Sequence, residues 1–179
     1  MKIAGITYYD GKPQLYLKPD TALLVNRKPF FLPHFTEEVT ARPCIAARIS
    51  RMGRCIEARF AERYYTETAP AINFQALAVL QQGDIDSITR ALAFDNSFAV
   101  GIFSASAAET EWQYNHTAVT TNGWVECMNE AVAQVSRYIT LRTGDMVAVD
   151  LRCEPLALKR EDVISAVVAG EEVLYCKIK

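Results

Sequence analysis

Cysteine side chains can bind metal ions and act as nucleophiles, so the cysteines are the first candidates for chemistry in this sequence. Five cysteines occur at widely separated positions, with no Cys-x-x-Cys pair among them: Cys44, Cys55, Cys127, Cys153 and Cys176. Because zinc sites and redox dithiols need cysteines at short spacing, the sequence predicts neither. We expect buried or incidental free thiols in a reducing cytosol.

Histidine offers few acid–base options, since His34 and His116 are the only two in the sequence. Either imidazole has the chemistry of a general base near neutral pH. Neither lies in a recognisable motif, and no Gly-x-Ser-x-Gly context for a nucleophile is present. Surface or partly packed histidines are the simpler interpretation, so the residue types alone predict no catalytic centre.

Composition and charge exclude several classes of function. The chain has 179 residues, of which 50% are hydrophobic and 22% charged, with a formal net charge of -2. A nucleic-acid-binding or anionic-membrane-binding protein would show a basic excess, and a disordered one would show low hydropathy with high net charge. The length predicts one domain over residues 1–179. The first residues lack the apolar stretch of a signal peptide, which predicts a cytoplasmic protein.

The segments that must position any site are mostly strands. Three hairpins are predicted where β-prone residues flank turn-forming pairs: 3–9 with 14–17 around Asp10-Gly11, 117–121 with 124–127 around Asn122-Gly123, and 163–168 with 173–178 around Ala169-Gly170. Further strands are predicted at 21–25, 44–50 and 98–103. Apolar residues at helical spacing predict helices at 57–67, 71–82, 85–92 and 128–141. The fold class is therefore α+β, richer in strand than in helix.

Four segments, in order along the chain, carry a resemblance to a known family. They are Leu17-Lys18-Pro19-Asp20-Thr21-Ala22-Leu23-Leu24, the stretch from Arg51-Met52-Gly53-Arg54 to Tyr64-Tyr65, Ala93-Phe94-Asp95-Asn96-Ser97 with Val100-Gly101, and Ser136-Arg137-Tyr138-Ile139-Thr140-Leu141 followed by Gly144-Asp145-Met146. Together they resemble the fumarylacetoacetate hydrolase (FAH) family of C–C bond hydrolases. The resemblance implies an FAH-like fold, a mixed rolled β-sheet with a few short helices, usually assembled as a homodimer.

The resemblance also shows where the chemistry of the family is missing. Family enzymes hold Mg²⁺ or Mn²⁺ with three carboxylates, two of them in a Glu-x-Glu motif whose side chains share one face of a strand. In this chain Arg42 and Cys44 stand at the two glutamate positions, and Asn73 stands at the position of the third ligand, an aspartate. A cation, a thiol and a neutral amide do not supply the charged oxygens that a hard dication needs. We therefore predict no metal and no other cofactor.

Other active-site residues of the family are replaced as well. The family histidine before Glu-x-Glu aligns with Thr40, a lysine with Leu92, and an arginine and a second aspartate with Leu77 and Ala78. The late Thr-Gly-Thr-Pro loop aligns with residues 149–152, which contain neither its glycine nor its proline. The resemblance therefore implies a catalytically degenerate protein, and we predict no catalytic residues.

Arg42, Cys44 and Asn73 are the candidate ligand-binding residues, because the resemblance implies that they converge where the metal would lie. Replacing three carboxylates by one guanidinium changes the formal charge there from about -3 to about +1, which favours a small anion. A guanidinium can pair with a carboxylate through two parallel hydrogen bonds. The alternative is that Arg42, beside Pro43, is merely solvated or ion-paired. Lys18 and Asp95 lie in retained segments, where we expect them to set turns and pack the sheet.

These observations lead to one leading hypothesis and two alternatives. The leading hypothesis is a cytoplasmic, homodimeric, catalytically degenerate FAH-like protein with a small-carboxylate-binding or scaffolding role. The first alternative is an active hydrolase, isomerase or decarboxylase that acts on β-diketo or 2-oxo acids through a non-standard site. Acidic residues outside the family pattern would have to serve it: Glu37, Glu38, Glu57, Glu62 and Glu67. The second alternative is a structural dimer without a ligand.

Overall fold

The computed structural model describes residues 1–9, 11–25, 27–105, 110–119 and 125–179. Its strands are β1 (Ile3–Tyr9), β2 (Lys12–Lys18), β3 (Leu23–Val25), β4 (Val39–Ile49), β5 (Tyr65–Ala76), β6 (Phe98–Val100), β7 (Thr110–Tyr114), β8 (Thr117–Val119), β9 (Met146–Asp150), β10 (Leu156–Ala157), β11 (Val163–Val168) and β12 (Glu171–Lys177). The helices are α1 (Leu77–Leu80), α2 (Ile85–Leu92) and α3 (Val125–Tyr138), with short 3-10 helices at Asp20–Ala22 and Ala58–Arg63.

Two sheets account for the described strands. The larger is a mixed sheet of eight strands in the order β2-β1-β9-β4-β5-β6-β3, with β10 paired to β4. The pairs β1–β9 and β3–β6 are parallel, and its other pairs are antiparallel. The smaller sheet is antiparallel, in the order β12-β11-β7-β8. The prediction of an α+β fold with a mixed sheet and a few short helices is confirmed.

The largest hydrophobic cluster lies on one face of the larger sheet. Ile6, Ile45, Ile72 and Val149 lie on this face and are at most 2% exposed. They belong to one buried cluster with the apolar stripe of α3 and inward residues of the smaller sheet: Met128, Val132, Val135, Ile164 and Leu174. The helical spacing at 128–141 predicted that stripe, and burial of its side chains supplies most of the stability of such a helix.

The opposite face of the larger sheet carries a second buried cluster that includes Ile3, Phe98 and Met146, and a row of small side chains crosses four of its strands. Gly5, Ala148, Ala46 and Ala69 follow one another across β1, β9, β4 and β5 in register. The ring of Tyr16 lies over Gly5 so closely that a Cβ atom there would stand 2.3 Å from it. Small residues at these positions let bulky and polar side chains from neighbouring strands lie flat on the sheet.

Several predicted elements are confirmed. The hairpins β1–β2 and β11–β12 form as expected, and Ala169 and Gly170 have the positive φ angles that a tight hairpin turn needs. Gly11 has φ +72°, whereas Asp10 lies outside the described residues. The helices at 85–92 and 128–141 correspond to α2 and α3.

Two helix predictions were wrong. Residues 57–67 form the 3-10 helix Ala58–Arg63 and the start of β5, and residues 71–82 form the end of β5 followed by the single turn α1. β5 is buried on both faces over most of its length, so its apolar residues do not alternate and resemble a buried helix. Pro70 also favoured a break between two helices, because prolines are rare inside central strands. It lies just beyond the stretch of β5 that pairs with β6.

The hairpin predicted around Asn122-Gly123 is also corrected. That turn lies outside the described residues, but Val125–Cys127, its predicted second arm, begins α3. β8 pairs instead with β7, which precedes it. Asn115 and His116 make the turn between them, both with positive φ. None of the described helices is long and apolar enough to cross a membrane.

Candidate functional site

The register of β4 and β5 brings the three predicted site residues together. Arg42 lies directly opposite Asn73 in this antiparallel pair. Cys44 follows Arg42 by two residues, so its side chain points to the same face of the sheet. Asn73 and Cys44 are fully buried and Arg42 is half-buried. This is the small-residue face, and the binding role of the three residues stays a prediction.

A fourth residue, Asp150, completes this cluster, and sequence reasoning missed it. Asp150 ends β9, lies opposite Cys44 and is 2% exposed. The side-chain amide of Asn73 donates hydrogen bonds of 3.2 and 3.1 Å to its two carboxylate oxygens. One signal was available: the inward positions of Met146–Asp150 end in an acid where a buried strand should remain apolar.

Burial of the Asp150 carboxyl changes its protonation. Loss of solvation raises the pKa of Asp150 to about 6, although hydrogen bonds from Thr7 and Asn73 and the charges of Arg42 and Lys18 act in the opposite direction. The carboxyl is therefore partly protonated just below neutral pH. A carboxyl in this state is costly to ionise in the folded protein, because transfer of its charge from water is only partly offset by its partners.

Lys18 is the second buried ionisable group on this face. Its ammonium donates hydrogen bonds to the main-chain oxygen of Phe74 at 3.2 Å, to Ser97 Oγ at 3.0 Å and to the main-chain oxygen of Leu92. Burial lowers the pKa of Lys18 to about 7, opposed by the charge of Asp150. Its partners lie on β5, at the end of α2 and just before β6, so Lys18 joins these elements. This agrees with the expected packing role.

Arg42 is the member of the cluster that reaches a cleft. Its guanidinium lies 5.2 Å from the centre of the Tyr9 ring, and its Nε donates to Gln75 Oε1 at 3.3 Å. The Tyr9 hydroxyl donates to the same Gln75 oxygen at 2.6 Å. These contacts hold the planar group in one orientation. The cleft measures about 410 Å³ and is lined by Tyr8, Gly11, Arg42 and the segment 151–155.

A second arginine lines the same cleft. Arg152 lies over the ring of Tyr8, 4.9 Å from its centre. Within the described ranges, neither Arg42 nor Arg152 has a carboxylate oxygen within 4.0 Å. Glu154 is the acidic residue among the described cleft-lining residues. The cleft therefore presents two cationic groups against one carboxylate.

The residues at this place do not fit a divalent metal ion. Burial raises the pKa of the Cys44 thiol well above its usual range, so the sulfur stays protonated, and a thiol is a poor ligand for Mg²⁺. The Asn73 amide is turned toward Asp150 with its nitrogen. Asp150 remains as a single carboxylate beside a guanidinium. Among the described residues no group of three or more histidine, cysteine or acidic side chains is placed to hold a metal.

Comparison with solved structures shows the fold. A proposed fumarylacetoacetate hydrolase family protein from Yersinia pestis CO92 superposes with a TM-score of 0.82 at 21% identity, covering 99% of this chain and 92% of that one. A fumarylpyruvate hydrolase from Pseudomonas aeruginosa, solved with Mn²⁺ and pyruvate, gives 0.79 at 17% identity and covers 99% and 88%. A 2-hydroxyhepta-2,4-diene-1,7-dioate isomerase from Mycobacterium marinum gives 0.79 at 19% identity and covers 99% and 73%.

These similarities extend over nearly the whole chain. No family model matches the chain, and no curated protein matches it significantly in sequence. The chain has the FAH-like fold, as the four retained segments predicted. At such low identity the similarity shows the fold alone, so the activities of these neighbours do not transfer with it.

Replacing Asp150 tests the cost of its burial. We expect Asp150→Asn to stabilise the protein at about pH 7.5 by roughly 2 to 3 kcal/mol, because it removes a carboxyl whose pKa is raised from 3.8 to about 6. In the wild type the folded state binds more protons than the unfolded state between these values, so stability falls as pH rises through them. Urea unfolding of both proteins over this range measures the difference.

Asp95→Asn serves as the matched control for this measurement. Asp95 lies in a turn and is exposed, so, contrary to expectation, its side chain does not pack on the sheet. Its replacement should therefore change stability by no more than about 0.5 kcal/mol. Equal stability of wild type and Asp150→Asn across the range would show that burial of Asp150 carries no such cost.

Proposed function

We propose that this chain is a divergent, catalytically degenerate relative of the FAH family that binds a small carboxylate at Arg42 without a metal ion. The observation that carries the proposal is the placement of Arg42. Its guanidinium lines an open cleft, and no described carboxylate pairs with it within 4.0 Å. The resemblance implies that a family metal ligand would lie at this position.

The orientation of Arg42 favours recognition of a planar anion. The ring of Tyr9 contacts one face of the guanidinium, and Gln75 accepts a hydrogen bond from its Nε. Little conformational freedom therefore remains to be lost when a ligand binds. A carboxylate can then accept two parallel hydrogen bonds from the guanidinium. Arg152, on the same cleft, adds a second positive charge.

The charge at the site is smaller than the sequence alone suggested. The expected change from about -3 to about +1 left out Asp150, which contributes a partial negative charge because its pKa is about 6. Lys18, with a pKa of about 7, contributes a partial positive charge. Arg42 keeps a full charge, so the balance still favours a small anion, with modest affinity.

The five acidic residues that kept an active enzyme possible lie outside the cleft of Arg42. Glu57 pairs with Arg59 at 2.9 Å and Glu67 with Arg48 at 3.2 Å, both at the surface. Glu62 accepts a hydrogen bond from Asn129, and Glu37 and Glu38 are exposed. None of the five lines the cleft of Arg42. These five residues therefore do not support hydrolysis, isomerisation or decarboxylation at this cleft, and binding without turnover is the function that we propose.

Assembly as a homodimer is part of the proposal, since the resemblance implies it. Large apolar side chains at the surface support it: Leu15 and Leu17 on edge strand β2 are 37% and 47% exposed, and Phe31 is 66% exposed. Such surfaces commonly mark interfaces. A single domain over residues 1–179 and a cytoplasmic location stay predictions from the sequence.

We expect light scattering at micromolar concentration to give about twice the 20.0 kDa mass of one chain. An obligate interface should bury upward of roughly 2,000 Å², which keeps the dimer intact on dilution. Leu17→Asp, on the exposed edge strand, should weaken the assembly if β2 contributes to it, and Glu171→Asp serves as a surface control. A particle of one-chain mass in the wild type would contradict the dimer.

Arg42 variants test the ligand. Calorimetry with pyruvate, oxaloacetate and oxalate should show weak binding, with no turnover in the same solutions. Arg42→Ala should abolish detectable binding, and Arg42→Lys should weaken it, because a lysine keeps the charge but loses the paired donors. Each charge-assisted hydrogen bond is worth roughly 1.5 to 3 kcal/mol.

Arg48→Ala is the matched control for Arg42. Arg48 lies on the same strand and the same face, about 20 Å along the strand from Arg42, and pairs with Glu67. Its loss should leave binding unchanged. Equal binding by wild type and Arg42→Ala would show that Arg42 is only structural or solvated, and turnover of an oxo-acid would favour an enzyme.

Independence from metal gives a separate test. A ligand that binds only the folded state raises its stability, and Arg42, Cys44 and Asn73 offer no charged oxygen for a dication. Thermal melts in millimolar Mg²⁺ or Mn²⁺ should therefore coincide with melts in chelator. A metal-dependent rise that persists after Asp150→Asn and after replacement of surface acids would contradict the proposal.

A further inference from the structure

We propose that Asp150 is a built-in competitor for the anion at Arg42, so that the cleft binds its carboxylate ligand together with a proton. This inference rests on the proposed function, since it concerns the same cleft. It assigns to Asp150 a role in setting the affinity and the pH range of binding, which neither the resemblance nor the fold provides.

The first step is the position of Asp150 directly before residues that line the cleft. Asp150 lies opposite Cys44, and Cys44 lies two residues from Arg42 on the same face, about 7 Å along the strand. The residues that follow Asp150 directly, 151–155, line the cleft that Arg42 reaches. A carboxylate bound by Arg42 would therefore lie close to a carboxylate that the protein already holds.

The second step is that Arg42 and Asp150 attract each other without being locked together. Among the described residues no ion pair joins them within 4.0 Å, yet the charge of Arg42 stabilises the ionised form of Asp150. An anion that binds Arg42 would compete with Asp150 for the positive charge of Arg42. It would also repel the ionised carboxylate of Asp150. Because two like charges at one site favour protonation of one of them, the anion should raise the proton affinity of Asp150.

The third step concerns the other groups that face Asp150. From β2 come Lys18 and Tyr16, from β1 Thr7 and Tyr9, from β4 Arg42 and Cys44, from β5 Asn73, and from the following loop Cys153. Burial raises the pKa of each of these tyrosines and thiols. They therefore stay neutral around pH 7, which leaves Lys18 as the other group that changes charge in this range.

Asn73 can serve both charge states of Asp150. Its Nδ2 now donates to the carboxylate, while its buried Oδ1 has no hydrogen-bond partner in the described part of the chain. A half-turn of the amide would let that oxygen accept a hydrogen bond from a protonated Asp150. Proton uptake therefore requires no rearrangement of the sheet.

Calorimetry with pyruvate, whose carboxyl is ionised throughout, tests the inference. At about pH 6.5, titrations in two buffers of different ionisation enthalpy should show uptake of a fraction of a proton by the wild type. Affinity should rise about sevenfold from about pH 8 to about pH 5.5 and approach a tenfold rise at lower pH, which corresponds to one pK unit of coupling. Asp150→Asn, which keeps the shape of the side chain, should bind as tightly at about pH 8 as the wild type does at about pH 5.5.

Controls separate this inference from the proposed function. Asp95→Asn should behave as the wild type, and any pH dependence that survives in Asp150→Asn belongs to Lys18. Arg42-dependent binding with no proton uptake by the wild type, or with the same uptake and affinity profile in Asp150→Asn, would overturn the inference and leave the proposed function standing. If Asp150→Asn does not fold, NMR titration of the Asp150 carboxyl carbon in the wild type decides, because it follows Asp150 separately from Lys18: a pKa that pyruvate leaves unchanged would overturn the inference. Absence of any pyruvate binding would overturn both.

Discussion

Burial of ionisable groups on one face of a sheet is the constraint on which this structure depends, since Asp150 and Lys18 are each 2% exposed and Arg42 is half-buried. Asp150, Lys18 and Arg42 come from three different strands and meet where small residues leave room for them. Taking such charges out of water is costly unless hydrogen bonds and opposite charges compensate. The compensation here comes from Asn73 at Asp150, from three oxygen acceptors at Lys18 and from Gln75 at Arg42. The register of the strands is what places each donor at its acceptor.

The four segments that resemble the FAH family contact one another in the structure. Segments 17–24 and 93–101 touch each other through the Lys18–Ser97 hydrogen bond, a main-chain bond from Asn96 to Thr21 and the parallel pairing of β3 with β6. Segments 51–65 and 136–146 touch through two main-chain bonds between Gly53 and Leu141 and through Ser136, whose oxygens accept from Cys55 and Ile56. These segments therefore form two contacting pairs. Of the three candidate site residues, Arg42 lines the cleft, whereas Cys44 and Asn73 are buried.

Packing and chemistry depend on different residues of the same strands. Packing residues must change together to keep the core filled, whereas a side chain that faces a cleft, such as Arg42, can differ without disturbing the core. A shared fold therefore does not carry shared chemistry with it.

The sequence by itself determined the fold class, the hairpins at both ends and the amphipathic α3, because each depends on local pattern or on residue type. Through the resemblance, the sequence also predicted that Arg42, Cys44 and Asn73 lie together. Only the tertiary structure decided that 65–76 is a central strand, since a strand buried on both faces has no period that distinguishes it from a helix. It also decided the roles of Lys18 and Asp150. Their partners are distant along the chain, with Asn73 lying 77 residues from Asp150. Protonation in a folded protein is set by such neighbours and by burial, which no local pattern encodes.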